Sequence, residues 1–198
     1  MAQVLLYRNE RMRRLKLLNP SHSRGSFTAV PRPGSGLSKK GRWPVRRTLN
    51  QKWGGEARLE SRGIEFHAPD FDVEIIADRG ALIRALRNLL DNALKYGGAG
   101  MNEIKVAYSE NGEFHILSVT DNGVGIAPQD REKMFDPFQR NYTSQGTMGS
   151  GLGLAIVREV AVKHGGNAWV EGEPTGRGAT FYICIAKDLN VAAQHRTP

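Results

Sequence analysis

Asn88 and Asn92 stand four residues apart in the string NLLDNALKY (88–96). At helical spacing both amides share one face, and Lys95 and Tyr96 continue it a turn later. Paired amide oxygens can ligate a hard cation such as Mg²⁺, which takes few protein ligands when phosphates supply the rest. Two solvated polar residues on an exposed helix face would read the same way. Asp121 opens a second string, DNGVGIAP (121–128). An ionised carboxylate only accepts hydrogen bonds, so it can take one from an adenine exocyclic amine, while Gly123 and Gly125 let main chain approach a flat base. By itself the string is also an ordinary Asp-Asn-Gly turn. A third string, GSGLGLAIV (149–157), sets Gly149, Gly151 and Gly153 before an apolar run. A glycine-rich turn opening a helix presents N–H groups and a dipole to phosphate. Taken in order, the three describe a pocket for a nucleotide and its metal.

The elements that must hold these residues can be read from periodicity. Leu82, Ile83, Leu86, Leu89, Leu90, Ala93 and Leu94 recur at helical spacing, which predicts a helix over 79–96 capped by Asp78 and ended by Gly97 and Gly98. Residues 63–68 and 73–77 read as strands around Pro69–Asp70. Alternation over 103–108 and 113–120 predicts a hairpin turning at Asn111–Gly112. A short helix over 129–134, a long one over 151–163, and a last hairpin of 167–171 and 179–186 turning through 174–176 complete the order. Helices on one face of a mixed, mostly antiparallel sheet make an α+β, two-layer α/β sandwich.

The three strings resemble the N box and two glycine boxes of the histidine-kinase catalytic domain, within the wider family of Bergerat-fold ATPases. MFDPF (134–138) resembles the F box, and GRGATF (176–181) the last glycine box. The likeness covers about residues 57–187. It implies ATP and Mg²⁺ as cofactors, with Asn92 the principal metal ligand, Asn88 supporting it, and Lys95 reaching a phosphate. Asn88 and Lys95 then form the catalytic pair. Asp121, aided by Thr180 through its hydroxyl or a water, sets adenine specificity. Tyr96, Gly123, Gly125, Ile126, Gly149, Gly151, Leu152, Gly153 and Leu154 line the nucleotide. The polar stretch 139–148 resembles an ATP lid in which Arg140 either pairs with phosphate or stays solvated, while Phe135 and Phe138 anchor it.

One position separates branches of the family. Hydrolysing relatives carry an acid one turn before the metal-binding Asn, where it serves as a general base. Here that position is Asn88, which cannot take a proton at neutral pH, so the resemblance favours the histidine-kinase branch. The acceptor histidine of that branch sits on a separate helical hairpin. Among the five histidines only His22, in PSHSRGSFTAV, is faintly similar to an acceptor box, and Ser23 replaces its acidic neighbour. No phosphoacceptor is assigned, and the chain is expected not to autophosphorylate alone. The implied partners are a histidine-bearing dimerisation domain, in cis or trans, and a downstream response regulator.

Charge is divided unevenly. Residues 1–54 hold 13 Lys and Arg against Glu10, a net of +12, so residues 55–198 carry −4 of the chain's overall +8. The high basicity therefore belongs to a leader rich in Pro and Gly over 19–55, expected to be disordered or irregular. The domain is expected over 55–188 and a flexible tail over 189–198. Residues 1–18 can also be read as a short basic amphipathic helix, with a membrane-surface or targeting role. No aromatic interleaving marks a dedicated nucleic-acid binder. No stretch approaches the ~20 apolar residues of a membrane span, and the single cysteine, Cys184, in FYICIA, reads as core. A soluble, cytoplasmic protein is expected. Two other functions stay open: a catalytically silent nucleotide-binding regulatory module, and an adaptor using the basic leader on nucleic acid or membrane.

Overall fold

The computed structural model describes residues 40–44, 56–68, 73–137, 151–172 and 176–188. In chain order the elements are β1 (Lys40–Pro44), α1 (Glu56–Ser61), β2 (Glu65–His67), β3 (Glu74–Asp78), α2 (Arg79–Tyr96), β4 (Glu103–Glu110), β5 (Phe114–Asp121), α3 (Gly153–Lys163), β6 (Ala168–Gly172) and β7 (Ala179–Ala186). Five strands form one sheet in the order β2-β4-β5-β7-β6. Among the described residues only the β2–β4 pair is parallel. A separate antiparallel ribbon joins β1 to β3.

The α2 helix forms where its periodicity places it. The Asp78 side chain accepts from the Ala81 amide at 2.9 Å, satisfying one of the N–H groups that a helix start leaves orphaned. Leu82, Ala85, Leu86, Leu89, Leu90, Ala93 and Leu94 are all buried. They meet Ile104, Val106, Leu117 and Val119 of the sheet and Leu154, Val157 and Val160 of α3 in one core. All eight residues of β7 are buried, which explains an apolar run without alternation in a strand flanked on both sides. Trp169 of β6 stacks on Tyr182 of β7 with centroids 4.8 Å apart. Cys184 is buried and its sulfur accepts from the Asn167 amide.

Four features depart from the sequence expectation. Lys40–Pro44, inside the segment expected to be irregular, is a strand whose register runs from Lys40 opposite Asp78 to Pro44 opposite Glu74. Pro44 closes it, where a missing N–H interrupts least. The strands expected at 63–68 and 73–77 do not pair with each other; β2 adds to β4 and β3 to β1. Helix α1 was not anticipated. The helix expected at 129–134 is two 3-10 turns, Pro128–Asp130 and Lys133–Phe135. Phe135 is buried there, edge-on to Phe181, with the Arg158 guanidinium of α3 4.8 Å above its ring. The readings made for residues 1–39, 69–70, 138–150, 174–175 and 189–198 lie outside the described residues.

His164 closes α3 and is fully buried. Its Nδ1 bonds the Val160 carbonyl at 2.8 Å, and its Nε2 lies 3.0 Å from the Asp78 amide. A carbonyl accepts and an amide donates, so Nδ1 carries the proton and Nε2 accepts. With the Ala186 amide bonded to the His164 carbonyl, one residue ties the start of α2, the end of α3 and the end of β7.

Candidate functional site

The site is assembled from the last two turns of α2, the loop leaving β5, the start of α3 and the start of β7. On α2, Asn88 and Asn92 are half-buried, Tyr96 is half-buried and Lys95 is exposed. Asn88 faces α3, its Oδ1 only 3.6 Å from where a Cβ on Gly153 would stand. Among the described residues its buried Nδ2 has no hydrogen-bond partner, and such orphans in a folded chain call for an explanation. The start of α3 supplies one side of it. Leu152 stands at the N-cap and contributes no side-chain acceptor, so among the described residues no side chain caps the first N–H groups of α3, which a helix leaves without intrahelical partners.

Asp121 ends β5 and is buried. Its Oδ1 accepts from the Gly123 amide at 3.0 Å, which fixes the carboxyl rotamer. The register sets Thr120 opposite Thr180 and Asp121 opposite Ala179. The two threonine hydroxyls lie 2.9 Å apart, so Thr180, itself buried, shares the Thr120 face of the sheet, and Asp121, the next residue along β5, points to the opposite face. Asn122 accepts from the Asn102 and Glu103 amides, at 3.1 Å each, and so pins the loop to β4. That role was not foreseen, because an Asn in an Asp-Asn-Gly string looks the same whether it turns the chain or clamps another strand.

Two backbone bonds lock the boxes together. The Val124 amide donates to the Gly97 carbonyl at 3.0 Å, and the Gly178 amide to the Gly123 carbonyl at 2.7 Å. A Cβ at Gly123 would stand 2.3 Å from the Gly97 oxygen, and one at Gly178 2.2 Å from the Asp121 oxygen. These glycines are therefore required by close approach of main chain to main chain. The end of α2, the Asp121 loop and the GRGATF turn form one interlocked unit.

The remaining expected residues fall as follows. Ile126 is half-buried against the core. Gly125 adjoins the main chain of Gly176 and Gly178. Leu154 is in the core, so only its main chain can face a ligand, whereas Leu152 is exposed. Gly151 precedes α3 with φ of 67°. Arg140 and Gly149 lie outside the described residues, as do Phe138, His22 and His195. The other histidines are held in structure. His67 lies 3.4 Å from both Glu65 and Glu103, His115 lies 2.8 Å from the Tyr108 hydroxyl, and His164 is the buried tie already described. Among the described residues no group of three or more His, Cys, Asp or Glu forms a metal cage. Among the described residues Asn88 brings an amide oxygen to the start of α3, and Asn92 follows one turn along α2; amide oxygens fit an ion that keeps most of its shell from phosphate and water.

Comparison with known proteins adds four findings. Residues 77–189 match the family described as histidine kinase-, DNA gyrase B-, and HSP90-like ATPase. The methanogenesis regulatory histidine kinase FilI of Methanothrix harundinacea is 40% identical over 142 residues, which are 71% of this chain and 15% of that protein. The signal transduction histidine-protein kinase/phosphatase MprB of Mycolicibacterium paratuberculosis is 37% identical over 152 residues, 71% of this chain and 28% of that one. The chain thus spans less than a third of either curated relative. Among solved structures, the catalytic domain of histidine kinase ThkA superposes with a TM-score of 0.66 at 28% identity, covering 77% of this chain and 98% of that domain.

Proposed function

Because this chain belongs to the histidine kinase-, DNA gyrase B-, and HSP90-like ATPase family, as a histidine-kinase-type ATP-binding catalytic domain, we propose that it binds Mg-ATP and donates the γ-phosphoryl to a histidine on a separate domain. The observation that carries the reading is Asn88. An amide, not an acid, faces the start of α3, and among the described residues its buried Nδ2 has no partner. A group in that place can support a metal-bound phosphate but cannot activate water.

Each residue then has a distinct task. Asp121 accepts from the adenine amine, with its rotamer fixed by the Gly123 amide. Asn92 is the principal ligand for Mg²⁺ and Asn88 supports it, while Lys95 neutralises phosphate charge from the exposed edge of α2. The N–H groups opening α3 receive phosphate oxygens. Mg²⁺ supplies charge neutralisation at the transferring phosphoryl, and the protein's share is alignment for in-line attack by an imidazole. The acceptor is supplied by a dimerisation domain, in cis or trans, and the phosphoryl passes to a response regulator. A cytoplasmic location suits that relay. No helix among the described residues is long and apolar enough to cross a membrane.

Calorimetry of the full chain with Mg-ATP tests binding. Saturable uptake in the wild type and its loss in Asp121→Asn are expected, and equal affinity in both would remove Asp121 from the base site. Incubation with γ-labelled ATP and a dimerisation-histidine domain tests transfer. Binding without label on any acceptor would leave the silent nucleotide-binding module as the function.

A further inference from the structure

Arg62 lies in the turn after α1, outside the stretch that matches the family, and none of the expected site residues is near it in sequence. Its guanidinium reaches the C-terminus of α2. Nη1 donates to the Leu94 carbonyl, and Nη2 donates to the Gly98 carbonyl at 3.0 Å. The last carbonyls of a helix have no partners within it, and a cation there also complements the helix dipole. A planar fork that bonds two carbonyls at once is available to Arg and not to Lys.

The corner that Arg62 holds is the one on which the base-binding loop rests. Between the two carbonyls it takes, the Gly97 carbonyl accepts the Val124 amide at 3.0 Å. A Cβ on Gly98 would stand 2.8 Å from the Val124 side chain, so the corner and loop are in direct contact. One residue back along the loop, the Gly123 amide holds Asp121 Oδ1. We propose that Arg62 is a positioning residue for nucleotide binding: it fixes the Gly97–Gly98 corner so that the Gly123–Val124 loop presents the Asp121 carboxylate to the base. The proposal rests on the reading of Asp121 as the base-binding residue.

Arg58 supplies the control. It pairs with Asp91 at 2.9 Å, linking the same two helices without touching the terminal carbonyls. Amide exchange and Mg-ATP calorimetry are measured on the full chain for Arg62→Ala, Arg62→Lys and Arg58→Ala. In Arg62→Ala the Gly123 and Val124 amides are expected to exchange roughly tenfold faster and Mg-ATP affinity to fall roughly tenfold, the scale of one charge-assisted hydrogen bond. The Val106 and Val119 amides, central in β4 and β5, keep their rates. Arg62→Lys falls between, since an ammonium reaches one carbonyl, and Arg58→Ala stays near the wild type.

Unchanged Gly123 and Val124 exchange in Arg62→Ala overturns the proposal, as does acceleration shared equally by Val106 and Val119, which would mark a purely structural bond. Faster loop exchange with unchanged affinity overturns it too. Absence of Mg-ATP binding by the wild type would instead sink the nucleotide reading, and the exchange rates would still report whether Arg62 holds the loop.

Discussion

Asn88 buries an amide nitrogen that has no partner among the described residues, beside the start of α3, and a buried donor left unpaired costs about 1–3 kcal/mol. A position kept for ligand binding is expected to trade stability for it. Asn88→Leu should therefore raise stability by about 1 kcal/mol while weakening Mg-dependent ATP binding, both read on the same protein by thermal unfolding and calorimetry. A lower melting temperature would show that the amide is satisfied in solution. The sequence identified this residue through its spacing from Asn92, but it could not show which of the two is orphaned. That depends on the approach of α3, which no local pattern encodes.

At the scale of elements, α2 was legible from end to end because every determinant is local. The cap, the apolar stripe and the terminal glycines all lie within the segment itself. β4, β5 and β7 were legible for the same reason. β1 was not, because its partner β3 lies over thirty residues away and KGRWP shows no alternation. The roles of Asn122, His164 and Arg62 also escaped, since each bonds main chain that is distant in sequence. These local and distant contributions can be separated at Asp78. Asp78→Ala removes only the side-chain cap and should cost about 1 kcal/mol. His164→Ala removes two hydrogen bonds and leaves a cavity, and should cost roughly 3 kcal/mol or more. Urea unfolding of the two variants checks this; equal losses would mean that the imidazole does not tie α2 to α3.

For the whole molecule, half-buried His115 and buried Cys184 each tie stability to pH. Burial, and then the Lys187 charge, lower the His115 pKa, against a smaller opposing pull from Glu110. The folded chain therefore keeps His115 neutral at pH values where the unfolded chain has begun to protonate it. Its contribution is complete above the unfolded value near 6.5 and is lost as pH falls through the depressed folded value. Cys184 acts at the other end. Burial pushes its thiol up to about 11, so the folded state resists forming a thiolate that the unfolded chain forms readily. That contribution is present below the unfolded pKa and is lost as pH rises through about 11. At its limit it amounts to about 2–3 kcal/mol. Urea midpoints across pH should form a plateau with a decline below pH ~6.5 that His115→Gln flattens, and an alkaline decline that Cys184→Ala flattens. A thiol reagent gives an independent reading of the alkaline side. At pH ~8 the native chain should leave Cys184 unmodified while the urea-unfolded chain reacts at once. Rapid native labelling would show that β7 opens to solvent, and the alkaline limit would then have to come from another group.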